Sequence, residues 1–207
     1  ISACLVGSEM CIRDRNTSDH EVNIKILLDA QVAAGTLPQD ERNQLLVDMT
    51  ESVAGAVLHG SYTQTQAISL ALAQAAPMID VHGRLIRRLE QLAGLDRELE
   101  FLPSEDEISE RTAAHLGLVA PELAIVMAYC KIHLYSALLD SDLPEDRYLQ
   151  HDVERYFPSP LPERFAGQMA EHRLRREIVA TVVANQMVDR AGTTFAFRLR
   201  EETGASP

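Results

Sequence analysis

Tryptophan is absent from this sequence, and aromatic residues make up only 5% of it. Sandwiches and barrels are built from β-branched and aromatic strands, so a chain whose apolar content is mainly Leu, Ile, Val and Ala points to packed helices instead. Cysteine is scarce too. Cys4, Cys11 and Cys130 are the only three, too few for a disulfide framework, which fits a cytoplasmic chain with its thiols kept reduced. Long apolar runs are missing: the longest, Leu123 to Tyr129, falls well short of the ~18 residues that span a bilayer and reads as a buried helix segment. Basic excess is missing as well. With 19 Lys and Arg against 31 Asp and Glu, the formal charge is −12, which argues against a nucleic-acid backbone or an anionic membrane as partner.

Catalytic signatures are also lacking. The ten glycines form no G-x-G-x-x-G turn, and there is no P-loop, H-E-x-x-H or G-x-S-x-G. A self-contained dinucleotide enzyme or hydrolase is therefore not supported. No fixed-period repeat suggests a solenoid, and no segment alternates like a strand over a long span.

What is present is a succession of helix signals in 207 residues, a length suited to one domain or at most two. Residues 1–15 stand apart, with two of the three cysteines, no helical period and no signal-peptide features, and are expected to be a non-native or disordered tail. From residue 16 to 204 the expectation is a single helical domain, followed by a tail at 205–207. Ser18 and Glu21 form an S-x-x-E capping box, Asp19 adds negative charge at the helix start, and Gly35 stops the helix. A second helix opens around Thr36 to Gln39 and is expected to end at Gly60, and a third runs from Ser61 to about Ala76, before Pro77. The fourth spans Met78 to Leu92. Ser104 and Glu107 form a second capping box that opens a short helix to about His115. Leu123 to Leu139, apolar around most of its circumference, is expected to be central. Further helices are expected over Glu145 to Phe157, Leu161 to His172 and Leu174 to Arg190. Thr193 to Glu202 reads as a last helix, although its Thr-Thr-Phe-Ala-Phe alternation leaves a strand open. The fold class is all-α, an irregular multi-helix bundle.

Several polar groups invite a chemical reading beside a bland one. Asp19, His20 and Glu21 look like a metal or acid–base cluster, but successive helical residues point about 100° apart, so first-turn acids with a solvent-facing imidazole are the simpler expectation. Cys130 and His133 share a helix face but supply only two ligands, and no metal site is expected. Tyr129 and Tyr135 with Lys131 suggest a catalytic Tyr/Lys pair or, more simply, core anchors with polar tips at the surface. Asn185 is an unusual mid-helix residue, either holding a buried partner or sitting at a boundary. Arg173, Arg175 and Arg176 read as a solvated helix start or as partners for nearby acids.

The string Asn16-Thr-Ser-Asp-His-Glu-Val-Asn-Ile-Lys-Ile-Leu-Leu28 resembles a signature of the large bacterial NAD-specific glutamate dehydrogenases. The resemblance continues in order through Asp80-Val-His-Gly-Arg-Leu-Ile86, Glu100-Phe-Leu-Pro-Ser104, Arg155-Tyr-Phe-Pro158, Leu174-Arg-Arg-Glu-Ile178 and Arg190-Ala-Gly192. It implies a fragment, the helical region after the nucleotide-binding domain, with NAD as the parent's cofactor and no NAD motif here. It implies L-glutamate and 2-oxoglutarate as the parent's substrates, the remainder of the parent chain as partner, and a homo-oligomer. One substrate contact is implied, Ser18, at the place where related enzymes hold the substrate's side-chain carboxylate. The family's N-S-A-G turn is absent, with Ile1 to Arg15 in its place, and catalytic residues are missing, so the chain alone is expected to be inactive. The competing reading is a non-catalytic helical interaction or regulatory module.

Overall fold

The computed structural model of the protein describes residues 19–204. Residues 1–15, Ser18 with its capping box, and 205–207 therefore lie outside the described part. Within it stand ten α-helices and no strand: α1 (19–33), α2 (Gln39–Asp48), α3 (Thr50–Ala73), α4 (Ile79–Leu92), α5 (Glu105–Ala113), α6 (Ala120–Leu139), α7 (Gln150–Tyr156), α8 (Leu161–Ala170), α9 (Arg175–Ala191) and α10 (Phe195–Thr203). The all-α class follows, and the strand left open near the C-terminus is a helix. The chain forms two compact units, one from residues up to Tyr62 with Asp142–Val182, the other from Thr63–Ser141 with Val183 onward.

In the first unit, α1 buries Ile24, Leu27 and Leu28 on one face, at the spacing a helix requires. Gly35 ends it at φ 71°, a left-handed conformation that a side chain disfavours, while the Gln31 carbonyl accepts from both the Thr36 amide and Thr36 Oγ1 at 3.0 Å. The next boundary differs from the expectation. The break falls at Met49, not at Gly60, and α3 runs unbroken through Gly60 and Ser61. Thr50 Oγ1 donates to the Leu46 carbonyl at 3.3 Å, competing for the acceptor its own amide would use, an arrangement that bends helices. Gly60 costs only about 1 kcal/mol as a helix interior residue and does not break α3. Two 3₁₀ turns, Leu143–Glu145 and Arg147–Leu149, occupy the start of the helix expected from Glu145, so α7 begins only at Gln150. Asp146 is the local reason: its carboxylate accepts from the Tyr148 amide at 2.8 Å and caps the second turn. Val153, Leu161, Met169 and Val179 complete the core of this unit.

In the second unit, α4 buries Ile79, His82, Leu85, Ile86 and Leu89. Ser104 Oγ accepts from the Glu107 amide at 3.2 Å and Glu107 Oε2 accepts from the Ser104 amide at 2.7 Å, so the expected capping box opens α5. Gly117 sits where a Cβ would lie 2.2 Å from the Ala75 carbonyl carbon, a close approach that only glycine allows. Helix α6 buries Leu123, Val126, Met127, Cys130 and Leu138 but leaves Ile132 50% exposed, so it is covered on one side and not enclosed. By length and composition alone α6 would also suit a membrane span, at a mean hydropathy of 1.3. Its apolar residues are interrupted by Glu122, Lys131 and His133, which is why no long run appears in the sequence. Glu122 is held by Arg111 and Lys131 by Asp189, pairings inside the unit that suit a core helix better than a lipid-facing one.

Candidate functional site

Ser18, the one site residue named in advance, lies just before the first described residue, so the described site begins with the first turns of α1. His20 is not solvent-facing. Its ring stacks on Tyr156 with centroids 4.3 Å apart and planes at 17°, and its Nδ1 is buried with no hydrogen-bond partner among the described residues. The apolar body of Tyr156 covers the imidazole that a surface first turn would leave in water. Asp19 stays exposed and Glu21 turns to Lys25, so the three consecutive side chains diverge.

Asn23, one turn further on, continues the arrangement. Its Nδ2 donates to the Tyr156 hydroxyl oxygen at 2.9 Å. Its backbone carbonyl lies 3.1 Å from His172 Nε2, and the Leu174 amide donates to His172 Nδ1 at 3.0 Å. Nδ1 accepts, so the imidazole proton sits on Nε2 and is donated to Asn23. Phe157 meets Tyr156 edge-on at 5.3 Å and approaches His172 at 5.6 Å.

The electrostatics make this cluster a clamp rather than a proton relay. Burial pushes the Tyr156 hydroxyl up to about 12, against a smaller opposing effect from Asn23. Burial likewise lowers His20, more than Asp19 raises it, and lowers His172, more than its bond to the Asn23 carbonyl raises it. At neutral pH all three rings are uncharged. They fix the direction of the first described turns of α1. Asn23, Tyr156 and His172 were not singled out from the sequence. Asn23 and Tyr156 are 133 residues apart, and no local pattern links them.

The remaining candidates scatter. Tyr129 donates to Glu100 at 2.8 Å, whereas Lys131 pairs with Asp189 at 2.7 Å, so no Tyr/Lys pair forms. Burial lowers the Lys131 ammonium more than Asp189 raises it. Cys130 is buried with its Sγ 3.5 Å from the Thr193 carbonyl, its thiol pushed up to about 12 by burial, and so is unreactive as a thiolate. Burial and the Arg200 and Arg88 charges lower His133. Among the described residues no three His, Cys, Asp or Glu side chains come together as a donor set for a metal. Asn185 is half-buried, a boundary position. Arg175 and Arg176 both hold Glu145, the latter at 2.8 Å, and these bonds lower the Glu145 carboxyl below its usual range; Arg173 is exposed. A Rossmann-type dinucleotide site combines a strand, a glycine-rich turn and a helix, and residues 19–204 show no strand and no such turn.

The described residues define an all-helical segment in which Asn23, Tyr156 and His172 hold the first described turns of α1. Comparison with known proteins places it. Residues 13–71 match the family described as bacterial NAD-glutamate dehydrogenase, catalytic domain, and residues 115–207 match glutamate dehydrogenase, C-terminal. The NAD-specific glutamate dehydrogenase of Halomonas elongata is 50% identical over 190 residues, 92% of this chain and 12% of that protein. Those of Pseudomonas aeruginosa and Mycobacterium tuberculosis are 50% and 47% identical over 91% and 92% of this chain. The chain belongs to the bacterial NAD-specific glutamate dehydrogenases and is a fragment, spanning about an eighth of the relatives it matches.

Proposed function

We propose that the parent protein oxidises L-glutamate with NAD and water to 2-oxoglutarate, ammonia and NADH, and that this chain is its helical region after the nucleotide-binding domain, inactive alone. The observation that carries the reading is identity of 50% across 92% of the chain to a protein named for that activity. NAD carries the redox chemistry, and this region contributes position. The apolar breadth of α6 supports a part in packing against the catalytic core and in assembling a homo-oligomer, and the acidic, thiol-poor composition supports a cytoplasmic enzyme of amino-acid catabolism. The first fifteen residues are read as foreign to the parent, and 16–204 as one cooperative domain.

Ser18 is the proposed substrate contact. In the sequence it opens the S-x-x-E box ahead of α1, and a hydroxyl at a helix start adds to the attraction that backbone amides exert on a carboxylate. The clamp of Tyr156, Asn23 and His172 holds that start in place. In the full-length parent, Ser18→Ala is expected to raise KM for L-glutamate about tenfold, roughly 1.4 kcal/mol of binding, with kcat changed far less. An unchanged KM would remove Ser18 from the site.

A further inference from the structure

From Ser52 to Ile79 the chain carries 28 consecutive residues without one Asp, Glu, Lys or Arg, although 24% of the whole sequence is charged. Average composition would place about seven charges in such a stretch. Most of it is α3, and α3 is largely exposed: Leu58 is 61% exposed, Tyr62 67% and Leu72 46%. At 100° per residue these three share a face with Ala54, Gly55 and Ser69, all exposed. A water-facing helix carries charge; this face has Glu51 at its N-terminal end and none from Ala54 to Leu72, and its centre, a tyrosine and a leucine, has the composition of an interface core.

Gly55 is a separate observation on the same face. Glycine inside a helix costs about 1 kcal/mol relative to alanine. A Cβ at Gly55 would meet nothing within 4 Å, so no packing within the described chain calls for glycine there. A partner surface in close approach to α3 would call for it.

We infer that this face of α3 docks onto the remainder of the catalytic domain of the parent polypeptide. The inference rests on the reading of the chain as a glutamate dehydrogenase segment. Two facts favour that occupant over a second copy. The match to the catalytic-domain family runs to residue 71, so nearly all of α3 belongs to that domain along the chain. The relatives extend far beyond this segment, which is 12% of their length, and supply the missing cover.

The test uses the full-length parent with a benzophenone-bearing residue in place of Tyr62. On illumination, cross-linked peptides are expected to come from the same chain, from parent sequence upstream of the position of Asn16, with a yield that does not change on hundredfold dilution. Gly55→Leu, which would push the partner surface away, is expected to lower that yield at least threefold. Cross-links confined to a second copy, a yield that collapses on dilution, or no cross-link at all would overturn the docking. NADH formation by the same preparation is measured separately: an inactive parent with intact upstream cross-links would sink the functional reading and leave the docking standing.

Discussion

His82 is the most deeply buried imidazole, 2% exposed, and its Nδ1 has no partner among the described residues. Burial lowers its pKa to about 4. The unfolded chain gains the proton near the ordinary value of 6.5, whereas the folded chain gains it only near 4, so stability is full above 6.5, is lost as pH falls between the two values and levels off below about 4. The loss at pH 4 amounts to about 3 kcal/mol. His82→Leu is expected to flatten the acid limb of a denaturation series by one proton and to leave stability at pH 7.5 equal or higher; an unaltered limb would show that His82 is not its source. The buried Glu122 carboxylate behaves oppositely on truncation of its partner. Arg111 donates to both its oxygens, at 2.7 and 2.9 Å. Arg111→Ala is expected to lower stability by roughly 2–4 kcal/mol, and pairing Arg111→Met with Glu122→Leu to recover most of it. Equal losses in the single and double variants, measured by urea unfolding, would refute the interpretation.

Among the elements, those governed by neighbours in sequence were legible in advance. The Ser104–Glu107 box, the Gly35 stop and the helical spacing of α4 depend on groups within a few residues, and the structure shows all three. Ser104→Ala is expected to cost about 1 kcal/mol of stability, with Ser104→Asp close to neutral; loss of the same size from both would mean that the cap is not the cause. The missed boundaries have physical reasons. Gly60 looked like a stop, but helix-interior glycine is tolerated when flanking turns are held, while the break at Met49 falls beside a Thr50 back-bond that no propensity scale marks. His20 looked solvated because its own helix gives no hint of Tyr156, which arrives from far along the chain. The clamp was not legible, because Asn23, Tyr156 and His172 pair across the fold, and Ser18 lies outside the described residues.

At the scale of the whole molecule, the chain crosses between its two units after Tyr62, Ser141 and Val182, so each unit is assembled from separate segments and neither is a continuous piece. Calorimetry of the 207-residue chain is expected to give one transition with calorimetric and van't Hoff enthalpies in agreement, and two resolved transitions would split the domain. Initial rates of NADH formation from L-glutamate test most directly whether this chain is an inactive segment of an NAD-specific glutamate dehydrogenase. The full-length parent is predicted to turn over with NAD, and this chain alone to give no rate above buffer. A parent without glutamate-dependent NADH formation, or turnover by the isolated chain, would contradict it.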